Sequence, residues 1–180
     1  MSDLLKVAFQ HNAWATKELI TFCRRLTLAQ LSSATQGTCH SRLPGHPQPR
    51  SLLDTLDHLV LADADYLPRP RMERPAWALE QRHASDLDEL EARADETAQL
   101  WQVYLGDPLE ATDLLLLDQG TYEVQSSIPI VQALHHGTLH RGQVCAILTG
   151  LGIEPPDLQV WTYGEATGRG RELNPQVAES

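Results

Sequence analysis

The nine residues His135-His136-Gly137-Thr138-Leu139-His140-Arg141-Gly142-Gln143 carry three of the chain's 8 histidines. His136 and His140 are four apart. On a helix that spacing puts both side chains on one face, one turn apart, with about 5–6 Å between Cβ atoms. Two imidazoles placed in this way can share one metal ion, as in the H-E-x-x-H zinc helices. Here Gly137 and Thr138 follow His136, so the carboxylate general base of that motif is missing. An i,i+4 pair without a visible third ligand reads equally well as two core histidines bonded to carbonyls or water.

The surrounding residues predict a helix over 129–150. Ser127 suits the N-cap, Pro129 an early helical position where its missing N–H is not needed, and Gly150 and Gly152 the stop. Ala133, His136, His140, Gln143 and Ile147 form one stripe at steps of three and four. Leu134, Leu139, Val144, Cys145 and Leu148 extend apolar surface around the remainder, which predicts a buried helix. Gly137 and Gly142 each cost roughly 1 kcal/mol relative to Ala in a helix, so a close neighbour is expected at both.

With 180 residues the chain is long enough for one domain with a real core. Its 24 acidic against 14 basic residues give a net charge of −10. That balance, with no Lys/Arg run, argues against a nucleic-acid backbone binder. Cys23, Cys39 and Cys145 are odd in number and far apart, which implies no disulfide framework. No signal-peptide pattern and no apolar run near 18 residues are present. The expectation is a cytoplasmic, reducing setting with no membrane partner.

In chain order, Leu4, Ala8, His11, Ala15, Leu19, Phe22 and Leu26 predict an amphipathic helix over 3–26. His11 is the polar member of that stripe, read as a hydrogen-bonded core or dimer-surface residue or as a cavity liner. Val7 and Trp14 lie on its flank. Residues 33–50, with Cys39, His40 and His46, are broken by prolines and glycines and read as a loop whose histidines stay out of any site. Ser51 and Asp54 form an S-x-x-D box opening a helix over 51–67, on which periodicity alone makes His58 an exposed or half-buried surface histidine. A proline-rich link over 68–84 is long enough to return along a bundle, so the next helix can run parallel to the last. Ser85 and Asp88 repeat the box before a helix over 85–105. Residues 113–126 read as a hairpin, Leu114 to Leu117 and Thr121 to Val124 about a Gly120 turn. Trp161 and Tyr163 are expected to anchor part of the tail.

Three stretches together resemble the DinB/YfiT-like family: Gln10-His11-Asn12-Ala13-Trp14-Ala15; Ser51 through Asp57-His58-Leu59 with Asp63 after it; and His136-Gly137-Thr138-Leu139-His140-Arg141-Gly142-Gln143. The likeness spans about residues 3–152. His11 and Thr16 depart from the family's usual Tyr and Asn, and the loop at 33–50 is long. The resemblance implies an all-α four-helix bundle of up-down-down-up order, with the hairpin between its third and fourth helices. Residues 1–164 are expected to form the single domain and 165–180 a flexible tail. It also implies a homodimer, expected through the flank of the first helix, and one divalent metal, zinc or nickel, held by His58, His136 and His140.

Three functions follow from that implied site. The first is a thiol-dependent S-transferase, acting on a low-molecular-weight thiol and an electrophilic small molecule. The second is a metal-dependent hydrolase, disfavoured by the absent Glu. The third is a non-catalytic metal- or ligand-binding stress-response protein. No catalytic acid or base is identified, and Gln143 is assigned to hydrogen-bonding a bound ligand.

Overall fold

The computed structural model describes residues 3–34, 51–67, 73–107, 110–117 and 120–171. It is mostly helical, with one two-stranded sheet. Four long helices dominate: α1 (Asp3–Cys23), α3 (Leu52–Asp65), α5 (Leu87–Gly106) and α6 (Ser127–Gly150). Three short ones, α2 (Leu28–Leu31), α4 (Ala76–Leu79) and α7 (Val160–Ala166), lie in segments read as connections or tail. Each long helix packs on two others: α1 on α5 and α6, and α3 on α5 and α6.

Helix starts follow local capping chemistry. Ser51 Oγ accepts the Asp54 N–H at 3.1 Å, as the S-x-x-D box predicts. The second box is displaced by one residue: Asp86, not Ser85, caps α5, accepting the Glu89 N–H at 2.8 Å. Before α6, the Ser126 hydroxyl does not cap the helix and donates instead to the Glu110 carbonyl at 2.6 Å, tying the helix to the chain ahead of the hairpin. Thr27 and Gln30 make a full capping box for α2.

The hairpin forms as expected, with its second strand one residue later than the expected Thr121–Val124. β1 (Leu114–Leu117) pairs antiparallel with β2 (Tyr122–Gln125), with Leu115 opposite Val124. That pair is buried while Leu114 and Leu116 face out, the alternation a one-sided sheet requires. The link before α5 is pinned by polar groups. Asp57 accepts from Ala84 N and meets His83, while Arg93, buried over the Trp77 ring, donates to the Arg82 and His83 carbonyls.

The core falls into two apolar clusters. One joins Leu19 and Ile20 of α1, Leu52 to Val60 of α3, Leu90 of α5, and Val144 to Leu148 of α6. The other joins Phe9 of α1, Leu67 after α3, Trp101 to Leu105 of α5, and Ile130 and Ala133 of α6. Between them along α1, α5 and α6 runs a layer of buried polar side chains: Asn12, Thr16, Thr97, His136, His140 and Arg141.

The C-terminal segment lies on α1. Tyr163 is buried with its ring 5.6 Å from His11 and 5.5 Å from Trp14. His11 Nε2 donates to the Leu158 carbonyl at 2.8 Å, so His11 is a tie for this segment. Trp161, expected to help anchor it, is 82 % exposed; of the two aromatics only Tyr163 does so. Arg169 donates to Gln10 and to the Tyr163 hydroxyl. Among the described residues no helix is long and apolar enough to cross a membrane.

Candidate metal centre

His136 and His140 lie one turn apart on the buried face of α6, as their spacing requires, and His58 of α3 comes to meet them. Three ligand-capable nitrogens, one from each ring, lie within 4.8 Å of one another. His58 Nε2 and His136 Nε2 are 3.2 Å apart, and the ring centroids of the three pairs are separated by 4.2–5.0 Å. Two nitrogens bound at tetrahedral angle to one zinc, each at 2.0–2.1 Å, stand about 3.3 Å apart. The His58–His136 spacing thus fits a shared ion, with His140 in reach of the same point. Periodicity left His58 exposed or half-buried beside the apolar stripe; in the fold it is half-buried, because the α3–α6 contact covers a flank of α3 that its own apolar stripe does not reach.

The electrostatics suit ligation as well. Burial first, and then the neighbouring imidazoles His140, His58 and His135, push the His136 pKa down to about 3. Burial also lowers that of His140, partly offset by its bond to Gln143. Both rings are therefore neutral at pH 7, the state a metal ligand needs. Gln143 Oε1 accepts from His140 Nδ1 at 2.6 Å. That bond fixes the tautomer and leaves the Nε2 lone pair free to ligate. Gln143 accordingly orients a histidine, where the sequence had assigned it to a ligand. His136 Nδ1 is buried with no hydrogen-bond partner among the described residues, so this ring, unlike that of His140, has no second group orienting it.

Behind the histidines, Arg141 fastens α6 to α1. Its Nη1 donates to Asn12 Oδ1 at 2.7 Å and to Thr16 Oγ1 at 3.0 Å. Sequence reading gave neither Arg141 nor Asn12 a role; the signal available was a lone charge in a helix otherwise apolar on most sides. Tyr66 packs its edge toward the His136 ring at 5.4 Å between centroids, and Gln132 Nε2 donates weakly to its hydroxyl at 3.4 Å. His11 and the exposed His135 do not join the three-histidine cluster. Cys39, His40 and His46 lie outside the described residues.

A helical domain that gathers three histidines from two helices defines a class of candidate metal-binding helical proteins. The chain belongs to the DinB family, whose model matches residues 1–174. No curated protein matches it.

Proposed function

We propose that His58, His136 and His140 hold one divalent metal, zinc or nickel, and that the protein is a thiol-dependent S-transferase. The observation that carries this reading is the convergence of three imidazoles, one of them locked by Gln143, with no carboxylate among them. Such an ion, when bound, favours the thiolate form of a small thiol and so makes it a nucleophile at neutral pH. The chain's own contribution is positional. Gln143 keeps His140 Nε2 aimed at the other two rings, and Arg141 with Asn12 keeps α6 at a fixed distance from α1. A thiol, with an ordinary pKa near 8.5, needs less help in losing its proton than water does, which suits a site with no general base between His136 and His140.

We further infer that the four long helices form a bundle of up-down-down-up order. What supports it is the order in which each helix meets the two apolar clusters: α1 and α6 meet the Phe9–Trp101 cluster first, α3 and α5 meet it last. The homodimer implied by the resemblance stays part of the proposal, although the chain's own Tyr163 packs on Trp14 and covers part of the flank expected to make the contact. Ile128, Val131 and Leu139, exposed along α6, offer the alternative face.

The test is to offer bacillithiol, mycothiol or glutathione, each with an activated aryl halide, to the zinc- and nickel-loaded protein. Metal-dependent conjugation that His136→Ala abolishes supports the proposal. Metal-dependent ester or amide hydrolysis with no conjugation replaces it with the hydrolase.

A further inference from the structure

The polar layer holds a second feature, on the far side of Arg141 from the histidines. Asp63 of α3, Thr97 of α5 and Thr16 of α1 line a cavity of about 10 Å³, closed by Ala13, Leu59 and Val60. That is room for one water-sized sphere. Asp63 Oδ1 and Thr97 Oγ1 are both buried, and neither has a hydrogen-bond partner among the described residues. Thr97 is 1 % exposed. Burying a polar atom without a partner is costly, and here two such atoms line the same small hole.

The third polar wall is half-used. Thr16 Oγ1 donates to the Asn12 carbonyl at 3.0 Å and accepts from Arg141 Nη1 at 3.0 Å. A hydroxyl oxygen accepts twice, so one lone pair remains. We propose that this cavity is a binding site for a single water molecule, which donates to Asp63 Oδ1 and Thr16 Oγ1, accepts from Thr97 Oγ1, and joins the buried carboxyl through Thr16 to the Arg141 guanidinium. Three bonds are the usual complement of a buried water. A monovalent cation fits worse. One carboxylate and two hydroxyls are few ligands for a hard ion, and the Arg141 charge already sits against the Thr16 wall.

The water gives Asp63 a local solvent and a path for its proton. Burial pushes this carboxyl up to about 7, with the Arg141 charge and Trp101 pulling the other way. The Arg141 charge acts on it from α6; α1 presents the uncharged Ala13 and Thr16, and α5 the uncharged Ala94, Thr97 and Trp101. The layer behind the histidine helix therefore takes up or releases one proton in the neutral range at this site.

The experiment uses the full chain labelled with ¹³C. Water-to-protein cross-relaxation is recorded at the Thr97 methyl and the Asp63 Cβ protons, and the Asp63 carboxyl carbon is titrated. A long-lived water contact at both positions is expected. Thr97→Val should abolish it and raise the Asp63 titration by about 0.7 pH unit, the equivalent of one weak hydrogen bond. Thr97→Ser should keep both, and the exposed Thr149→Val should change neither. A missing contact in the unsubstituted protein overturns the proposal, as does a titration that Thr97→Val leaves in place. If the valine variant does not fold, the water contact and a comparison of potassium with choline chloride still decide. A titration that moves with potassium at constant ionic strength makes the site a cation site instead.

Discussion

A Cβ added to Gly137 would fall inside the van der Waals shell of Asn12 Oδ1, 3.3 Å from Asn12 Cγ and 3.0 Å from Arg141 Nη1. The glycine between the two site histidines is there because α1 comes so close, and the Asn12–Arg141 bond holds it there. Gly137→Ala is therefore expected to destabilise the protein. The helix-propensity gain of about 1 kcal/mol is outweighed by overpacking of about 1–3 kcal/mol and by strain on the Arg141 bonds. Urea denaturation should show a lower midpoint, and an unchanged or higher one contradicts the contact.

Gly142 is the converse case. Among the described residues, nothing beyond its own helix lies within 4 Å of a Cβ built there, although the sequence alone led to the same expectation at both glycines. Gly142→Ala should raise stability by about 0.5–1 kcal/mol, the intrinsic helix preference of alanine. A loss in the same urea experiment would mean that something unseen approaches this turn.

Asp63 sets a pH dependence with a definite sign. Its folded pKa, about 7, lies above the value near 3.9 of an unfolded aspartate. Between the two, the unfolded chain has lost this proton and the folded chain has kept it. Stability from this group is thus full below the unfolded value, falls as pH rises through the window, and levels off above about 7. His136, whose folded pKa is lowered, acts oppositely toward acid, but it is common to both proteins in a comparison with Asp63→Asn. The advantage of Asp63→Asn over the unsubstituted chain should grow from pH 4.5 to 7, by at most about 1.4 kcal/mol per unit. It should then stay flat to pH 8, as read from urea midpoints. A difference that does not vary with pH would place the Asp63 titration elsewhere.

Gln143 is predicted to matter through His140. Gln143→Leu frees the His140 ring and should weaken metal binding by about 10- to 100-fold, the usual effect of removing a ligand's hydrogen-bond partner. Gln143→Glu keeps an acceptor at that position and should lose less. Competition with a chromophoric chelator reads both; equal affinity in the leucine variant would leave Gln143 without this role.

Much of this arrangement was legible in the residues. The i,i+4 histidines, the Ser51 cap, the Gly150 stop and the hairpin turn are local features, set by spacing and side-chain chemistry within a few residues. What was not legible depends on contacts between distant segments. His58 looked peripheral because the periodicity of one helix reveals its own apolar stripe and not the second neighbour that covers its flank. Only the resemblance brought His58 to the other two. Trp14 looked like uncovered surface because Tyr163, some 150 positions later, had no local signal to say where it would dock. The α5 cap moved from Ser85 to Asp86 because both residues can cap and the better geometry fell one position on. The roles of Asn12, Arg141, Asp63 and Thr97 arise only when three or four helices meet.

The central claim is that His58, His136 and His140 together hold one metal ion. Its most direct test is the divalent-metal content per chain of the purified protein, measured by elemental analysis beside His58→Ala and the neighbouring exposed His135→Ala. The account predicts one zinc or nickel per chain in the unsubstituted protein and in His135→Ala, and a sharp loss in His58→Ala. Metal retained in full by His58→Ala would contradict it.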